Sequence, residues 1–390
     1  MSFNVIDLTS ELIACPSVAP KDEGAQLVLA EKLKALGFEC HHLSFGEGDE
    51  AVPNLFARLG SGRPHICYAG HTDVVPPGSL DKWTYDPFKA TIKDGVLYGR
   101  GSSDMKGSIA AFVAAVSDYL ENNTLQGSIS FLITGDEEGP AVNGTVKVLE
   151  WMKEHGHIPD VCLVGEPTNT NKIGETIALG RRGSINSVLT VKGKQGHVAY
   201  QEFADNPVPG LITLVSTLAG HEFDQGSEHF PATNLEFTGM DIGAGRWAEN
   251  VIPASARAMF NIRFNDLWTG ESLRAELDRI LGATGIQYEL QTRCSGNSFL
   301  TPPGPWSDIV RDAAAQVTGL EPEFTTGGAT SDARFIAPYC PALEFGGINT
   351  TIHQVNENAR VEDLEQLVAI FRGIIERADQ STELSAQPTP

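Results

Sequence analysis

Apolar residues along the chain fall into short solid runs separated by stretches of helical period. Ile129, Phe131, Leu132 and Ile133 form one such run, of the length and composition expected of a strand buried on both faces. Residues 65–70, 161–165 and 342–346 form three more. Residues 4–14 and 22–36 predict helices. The second places Ala25, Val28, Leu29, Leu33 and Leu36 on one face and stops at Gly37, a usual helix terminator. Residues 38–43 and 54–59 predict strands. A glycine-rich loop at 99–107 opens a helix whose face is Ile109, Phe112, Val113, Val116 and Leu120. This alternation continues to about residue 180 and predicts a largely parallel sheet with helices on both faces.

Beyond residue 180 the pattern changes. Residues 185–191, 234–242, 254–264 and 286–292 read as strands, and residues 207–218 and 271–281 as helices. The order βαββαβ is that of a ferredoxin-like unit, four strands backed by two helices. The α/β pattern resumes near Trp306 and closes with a helix at 361–378. The fold class is therefore α/β with an inserted α+β domain. The expected division is a discontinuous domain of residues 1–180 and 294–378 and an insertion of residues 181–293. The tail, 379–390, is short, polar and proline-containing, and disorder is expected there. A length of 390 residues suits two domains.

Composition narrows the function. A formal net charge of −22 argues against a nucleic-acid partner, which needs a basic footprint. No apolar run approaches the roughly 20 residues of a membrane helix, and the first residues lack the segments of a signal peptide, so a cytoplasmic location and no membrane partner are expected. The six cysteines are scattered without a Cys-x-x-Cys pair, and Cys67, Cys162 and Cys340 lie in or beside apolar runs. They read as buried reduced thiols rather than a structural zinc site.

The ends of the apolar runs carry the candidate chemistry. The first leads into His71 and Asp73, the second into Asp136, Glu137 and Glu138, the third into Glu166, and the fourth, after a loop, to His353. Ligand sites of open α/β sheets lie at the carboxyl ends of strands. Three acids after a buried strand form either a solvated turn or a set held by a cation, because unpaired carboxylates are not left in apolar surroundings. Asp104 falls at or just before a helix start, where alone it reads as an N-cap. Its loop lacks the spacing of a phosphate-binding loop. Taken together, the set predicts one site holding two metal ions. Adjacent residues of an extended segment point opposite ways, which would let one of Glu137 and Glu138 ligate while the other stays free.

His71-Thr72-Asp73, the 99–107 loop, Asp136-Glu137-Glu138-Gly139 and Gly165-Glu166-Pro167-Thr168 together resemble the dinuclear zinc deacylases and exopeptidases, a superfamily that includes aminoacylases, acetylornithine deacetylase and glutamate carboxypeptidase. Further stretches are similar to its succinyl-diaminopimelate desuccinylase branch: Gly180-Arg181-Arg182-Gly183-Ser184, residues 195–200, residues 250–253, residues 260–264 and Thr351-Ile352-His353. The resemblance runs from the N-terminus to about residue 378. It implies that Asp104 bridges two zinc ions, with cobalt able to substitute. His71 and Glu166 would complete one ion, and Glu138 and His353 the other. Glu137 would be the general base, and Asp73 would hydrogen-bond His71 and fix its tautomer. His197 would act in the partner subunit's site of a homodimer, and Arg181, Ser184, Tyr200, Asn250 and Arg263 would contact substrate.

The implied reaction is hydrolysis of N-succinyl-LL-2,6-diaminopimelate to succinate and LL-2,6-diaminopimelate, a step of lysine and diaminopimelate biosynthesis. Another N-acyl amino acid deacylase, a dipeptidase or an inactive binding relative are the alternatives. An anionic small-molecule substrate gains nothing from the field of an acidic protein, so local cations must hold it. Arg181, Arg182 and Arg263 suit that task, since guanidinium groups grip carboxylates with two parallel bonds. The chain departs from the family pattern at residues 327–332, one residue longer than the usual Gly-Gly-Thr-Ser-Asp, and at Ser102-Ser103, where Ala-Ala is commoner.

Overall fold

Three strands buried at every position, His65–His71, Ser128–Thr134 and Val161–Val164, form the centre of the sheet in a computed structural model that describes residues 3–243 and 249–386. They belong to the first of two units, made of Met1–Gly180, Leu300–Thr325 and Ser331–Pro390. Its sheet has eight strands in the order Glu39–Phe45, Val52–Leu59, Ser128–Thr134, His65–His71, Val161–Val164, Ala342–Glu344, Thr176–Ala178 and Glu323–Thr325. The central neighbours run parallel. The Glu39–Phe45 and Val52–Leu59 strands add antiparallel pairings at one margin, and Ala342–Glu344 meets Thr176–Ala178 antiparallel near the other. The sheet is mixed and mostly parallel.

The helix Lys106–Asn122 is buried along most of its length. Its Phe112 stacks on Tyr68 at 4.3 Å between ring centroids and meets Phe371 of the helix Val361–Asp379 edge-on at 5.4 Å. No side chain caps this helix, and its N-cap residue is Met105. The N-cap alternative for Asp104 therefore falls away, which leaves its carboxylate available to the site. A short helix, Thr382–Ala386, stands where disorder is expected of the tail. Leu384 explains it, since this apolar side chain is fully buried against the core. The rest of the expected tail, residues 387–390, lies outside the described residues.

The second unit comprises Arg181–Phe299 and Thr326–Thr330. Its antiparallel sheet has the order Asn234–Ile242, Ser255–Phe264, Gly183–Lys192 and Glu289–Gly296, the ferredoxin-like arrangement. Alternate residues of Ser255–Phe264 are buried, the period-2 pattern of a sheet covered on one face. Leu189, Phe260 and Ile262 pack there with Leu211 and Leu214 of the helix Pro207–Ala219 and Leu273 and Leu277 of the helix Gly270–Gly282. The last strand runs to Gly296, so the unit ends at Phe299. Residues 326–330 join it through local bonds, among them Thr326 Oγ1 to the carbonyl of His229 at 2.6 Å. No helix among the described residues is long and apolar enough to cross a membrane.

Candidate metal centre

Parallel pairing puts the ends of three adjacent strands side by side. His71 is the last residue of its strand and lies opposite Thr134, which leads to Glu137 and Glu138; Val164 leads to Glu166. His71 is buried with its Nδ1 held 2.9 Å from the main-chain carbonyl of Asp73. With the proton on Nδ1, the other nitrogen presents a lone pair. That Nε2 lies 3.1 Å from Asp104 Oδ1 and 3.7 Å from Glu166 Oε1. On the other side, His353 Nε2 lies 3.2 Å from Asp104 Oδ2 and 2.8 Å from Glu138 Oε1. Asp104 thus turns one oxygen to each imidazole. His353 holds a left-handed backbone, φ 59°, a strained state for a non-glycine residue of the kind found at functional sites.

Ligand atoms of His71, Asp104 and Glu138 lie within 4.8 Å of one another, as do those of His71, Glu137 and Glu166. The donor set of imidazoles and carboxylates suits zinc and similar divalent ions. The electrostatics agree. Burial disfavours the charged form of His71, yet Asp104, Glu166 and Glu137 lift its pKa well above the usual value. His353 is pushed up to about 10 by its hydrogen bonds to Asp104 and Glu138. Burial opposes ionisation of Asp104, but bonds from His353 and His71 hold its carboxyl below the usual range. Burial, then the charge of Glu166, push Glu137 far up. Carboxylates crowded this closely require a counter-cation to ionise together, and these residues fit a bound metal.

Two expectations need correction. Asp73 orients His71 through its backbone carbonyl; its carboxylate stands 3.7 Å from Nδ1. That carboxylate instead accepts the N–H groups of Glu137 at 3.4 Å and Glu138 at 2.9 Å, so it shapes the acidic segment. Burial raises the Asp73 pKa to about 6. Glu137 and Glu138 sit in a turn, not an extended segment, and the turn rather than strand alternation separates their side chains. Asp136 is spent on local structure, accepting the N–H groups of Val142 and Asn143. A cavity of about 530 Å³ lined by Val52, Val74, Val75, Glu138, Pro140 and Val142 adjoins Glu138.

The remaining candidates fall into two groups within the second unit. Ser184 and Arg263 are cross-strand partners. Arg263 donates to Thr330 Oγ1 at 3.1 Å, and buried Arg181 donates to the carbonyl of Gly327. These bonds tie the guanidinium groups to the lengthened 327–332 loop. Elsewhere, Gly196–His197 pairs with Val251–Ile252. His197 and Tyr200 are exposed, their rings 5.6 Å apart, and the Asn250 carbonyl accepts the N–H of Val198.

Sequence reasoning missed Glu357, Asp332 and Glu344, all buried acids of the first unit. Asp332 adds its charge to the repulsion felt by Glu137, and Glu344 accepts a hydrogen bond from Ser331. Glu344 stands inside the apolar run 342–346, at the end of its strand, and was open to notice; Asp332 closes the 327–332 stretch noted for its length, and Glu357 stands in a polar loop that carries no such signal.

Histidines and carboxylates converging beside the parallel strand ends of an α/β sheet define the class as a candidate metalloprotein. Residues 67–377 match the model of Peptidase family M20/M25/M40, and the chain belongs to that family. It is 52% identical over 379 residues to the succinyl-diaminopimelate desuccinylase of Afipia carboxidovorans, covering 95% of this chain and 98% of the relative. The fold is similar to that of an M20 family metallo-carboxypeptidase from Sulfolobus solfataricus, with TM-score 0.78, 19% identity, and 97% and 99% of the two chains covered. It is also similar to a dinuclear metal binding peptidase of the M20 family from Bacillus subtilis, with TM-score 0.68, 16% identity, and 95% and 96% covered. The chain is an amide hydrolase.

Proposed function

We propose that the protein hydrolyses N-succinyl-LL-2,6-diaminopimelate to succinate and LL-2,6-diaminopimelate with two zinc ions per chain, cobalt being able to replace them. The observation that carries the chemistry is Asp104, whose two oxygens face His71 and His353 separately. The desuccinylase relative, similar over nearly the whole chain, supports the substrate.

In this reading Asp104, His71 and Glu166 would hold one ion, and Asp104, Glu138 and His353 the other. Divalent ions held by these residues would supply a water of lowered pKa, toward ~7, and polarisation of the amide carbonyl. Glu137 takes the proton from the attacking water and passes it to the leaving amine, so that the amide C–N bond breaks to a carboxylate and an amine. Positive charge held in the cluster would offset the burial of Glu137 and the repulsion from Glu166 and let Glu137 ionise. Asp73 keeps His71 in the tautomer with a free Nε2 and holds the Glu137–Glu138 turn in place. Arg181, Ser184 and Arg263 bind the carboxylate of the succinyl group, and Tyr200 and Asn250 add polar contacts. His197 donates to the developing oxyanion in the partner's site of a homodimer. The first unit is the catalytic domain and the second the lid and dimerisation domain, working in cytoplasmic lysine and diaminopimelate biosynthesis.

The deciding experiment compares zinc-loaded protein on N-succinyl-LL-2,6-diaminopimelate and N-acetylornithine. Preference for the first is expected. Faster turnover of the second would move the reading to another N-acyl amino acid deacylase.

A further inference from the structure

Glu357 is fully buried and belongs to none of the metal-ligand groups above. Its Oε1 accepts the backbone N–H groups of Ser103 and Asp104, each at 3.0 Å. Its Oε2 accepts the N–H of Gly101 at 3.0 Å and Arg100 Nη1 at 2.7 Å. Its own carbonyl accepts the N–H of Gly99 at 3.0 Å. An ionised group removed from water needs such partners. Apart from Arg100, these partners are main-chain amides of one loop, so the carboxylate defines the path of the chain that delivers Asp104.

Glu357 also ends the loop that delivers His353. That loop is closed by Thr351 Oγ1, which donates to the carbonyl of Asn358 at 3.0 Å and accepts its N–H at 3.2 Å. Directly after it, Asn358–Arg360 pairs with Val96–Tyr98, the strand that leads into the Asp104 loop. The two loops thus meet at Glu357, and their tips carry the side chains that lie 3.2 Å apart, Asp104 and His353.

We infer that Glu357 is a positioning residue that sets the Asp104–His353 spacing, and with it the affinity of the ion on the His353 side. The loop clamp stands on the hydrogen bonds alone; its consequence for the ion rests on the proposed metal site. Glu357→Gln sets an NH₂ group against backbone donors and lets only one amide oxygen serve them. In the full chain, metal-free, amide hydrogens of residues 99–105 should exchange at least about tenfold faster, with the strand Ser128–Thr134 unchanged. In chelator competition, one of two zinc equivalents should weaken about 10–100-fold, the usual effect of losing a partner behind a ligand, while the other is retained. Turnover lost at limiting zinc should return with excess zinc, with KM little changed. Glu357→Asp keeps the charge but draws it back by one methylene. It should show the same signs at smaller size, and it carries the test if the Gln variant fails to fold. Unchanged loop exchange, or faster exchange with both zinc affinities as in the unsubstituted protein, would overturn the inference. Failure of the unsubstituted protein to bind zinc would instead strike the proposed function, and loop exchange would still decide the clamp.

Discussion

The two sheets of this protein solve burial differently. His65–His71 in the first unit is buried at every position, whereas Asn234–Ile242 in the second alternates between exposed and half-buried residues. A strand covered on both faces has no flank free for chemistry, so its functional residues can only stand at its end. A sheet covered on one face keeps its other face and its edges for contacts. Accordingly the closely spaced histidine and carboxylate cluster of the first unit stands at and just beyond strand ends, with Asp104 and His353 supplied by loops. The candidate substrate and partner contacts of the second unit are spread over a strand pair, a loop and an exposed turn. One region is built to hold charges at fixed spacing, the other to present surface.

The sharpest way to break this contrast is to remove the proposed base from the first unit. Glu137→Gln should retain both metal equivalents and lose about 10²–10⁴-fold in kcat, read by metal analysis beside turnover. Loss of metal would make Glu137 a ligand instead. Packing should differ as strongly. Phe112→Ala removes a fully buried ring of the first unit and should cost roughly 3–5 kcal/mol. Met240→Ala, half-exposed on the edge strand of the second, should stay within about 0.5 kcal/mol. Equal shifts of the urea midpoint would erase the distinction between the two sheets.

Subunit exchange asks whether the exposed turn serves another chain. His197→Ala should lose about 10²–10³-fold in turnover. Mixing it with Glu137→Ala should restore part of the activity in heterodimers, because one site then holds both residues. Confirmed heterodimers without recovery would return His197 to its own chain or to no role. The arginine pair gives a smaller effect. Arg181→Ala or Arg263→Ala should weaken kcat/KM for the succinylated substrate by roughly 1.5–3 kcal/mol, and far less for a neutral acyl amide. Similar losses on both substrates would argue against a carboxylate clamp.

The smallest effect is in the pH dependence of the metal-free protein. His353 has its folded pKa raised from 6.5 to about 10 by its bonds to Asp104 and Glu138. The folded state then binds more protons than the unfolded state between those values. The stability this contributes is complete below about pH 6.5 and is lost as pH rises to about 10. Asp73, raised from 3.8 to about 6 by burial, also makes stability fall with rising pH, over that lower interval. Solvent screens the half-exposed His353, so the slope should be shallow. Urea midpoints that rise across the alkaline interval would contradict the His353 pairing.

Much of this was legible in one dimension. Periodicity marked both units, because burial of a strand or helix face imposes a repeat on neighbouring residues. The same apolar runs pointed to His71, Glu138 and Glu166, since a run that ends at a ligand is a local signal. The expected boundary at residue 293 and the disordered tail fared less well. A strand's last residues depend on a partner strand far away, and Leu384 reveals its burial only once the core is assembled.

What tertiary structure alone decided is the spacing and the support of the site. Sequence determined that Asp104 lies in a glycine-rich loop; only the fold turned its two oxygens to His71 and His353. Sequence marked Asp73 as a companion of His71; only the fold gave its carboxylate to the amides of Glu137 and Glu138, 64 and 65 residues on. Glu357 reaches the Asp104 amide across 253 residues. Hydrogen bonds to main-chain amides ask nothing of the partner's side chain, so they leave no pattern in the partner's sequence. They exist only when the folded chain brings the two loops together.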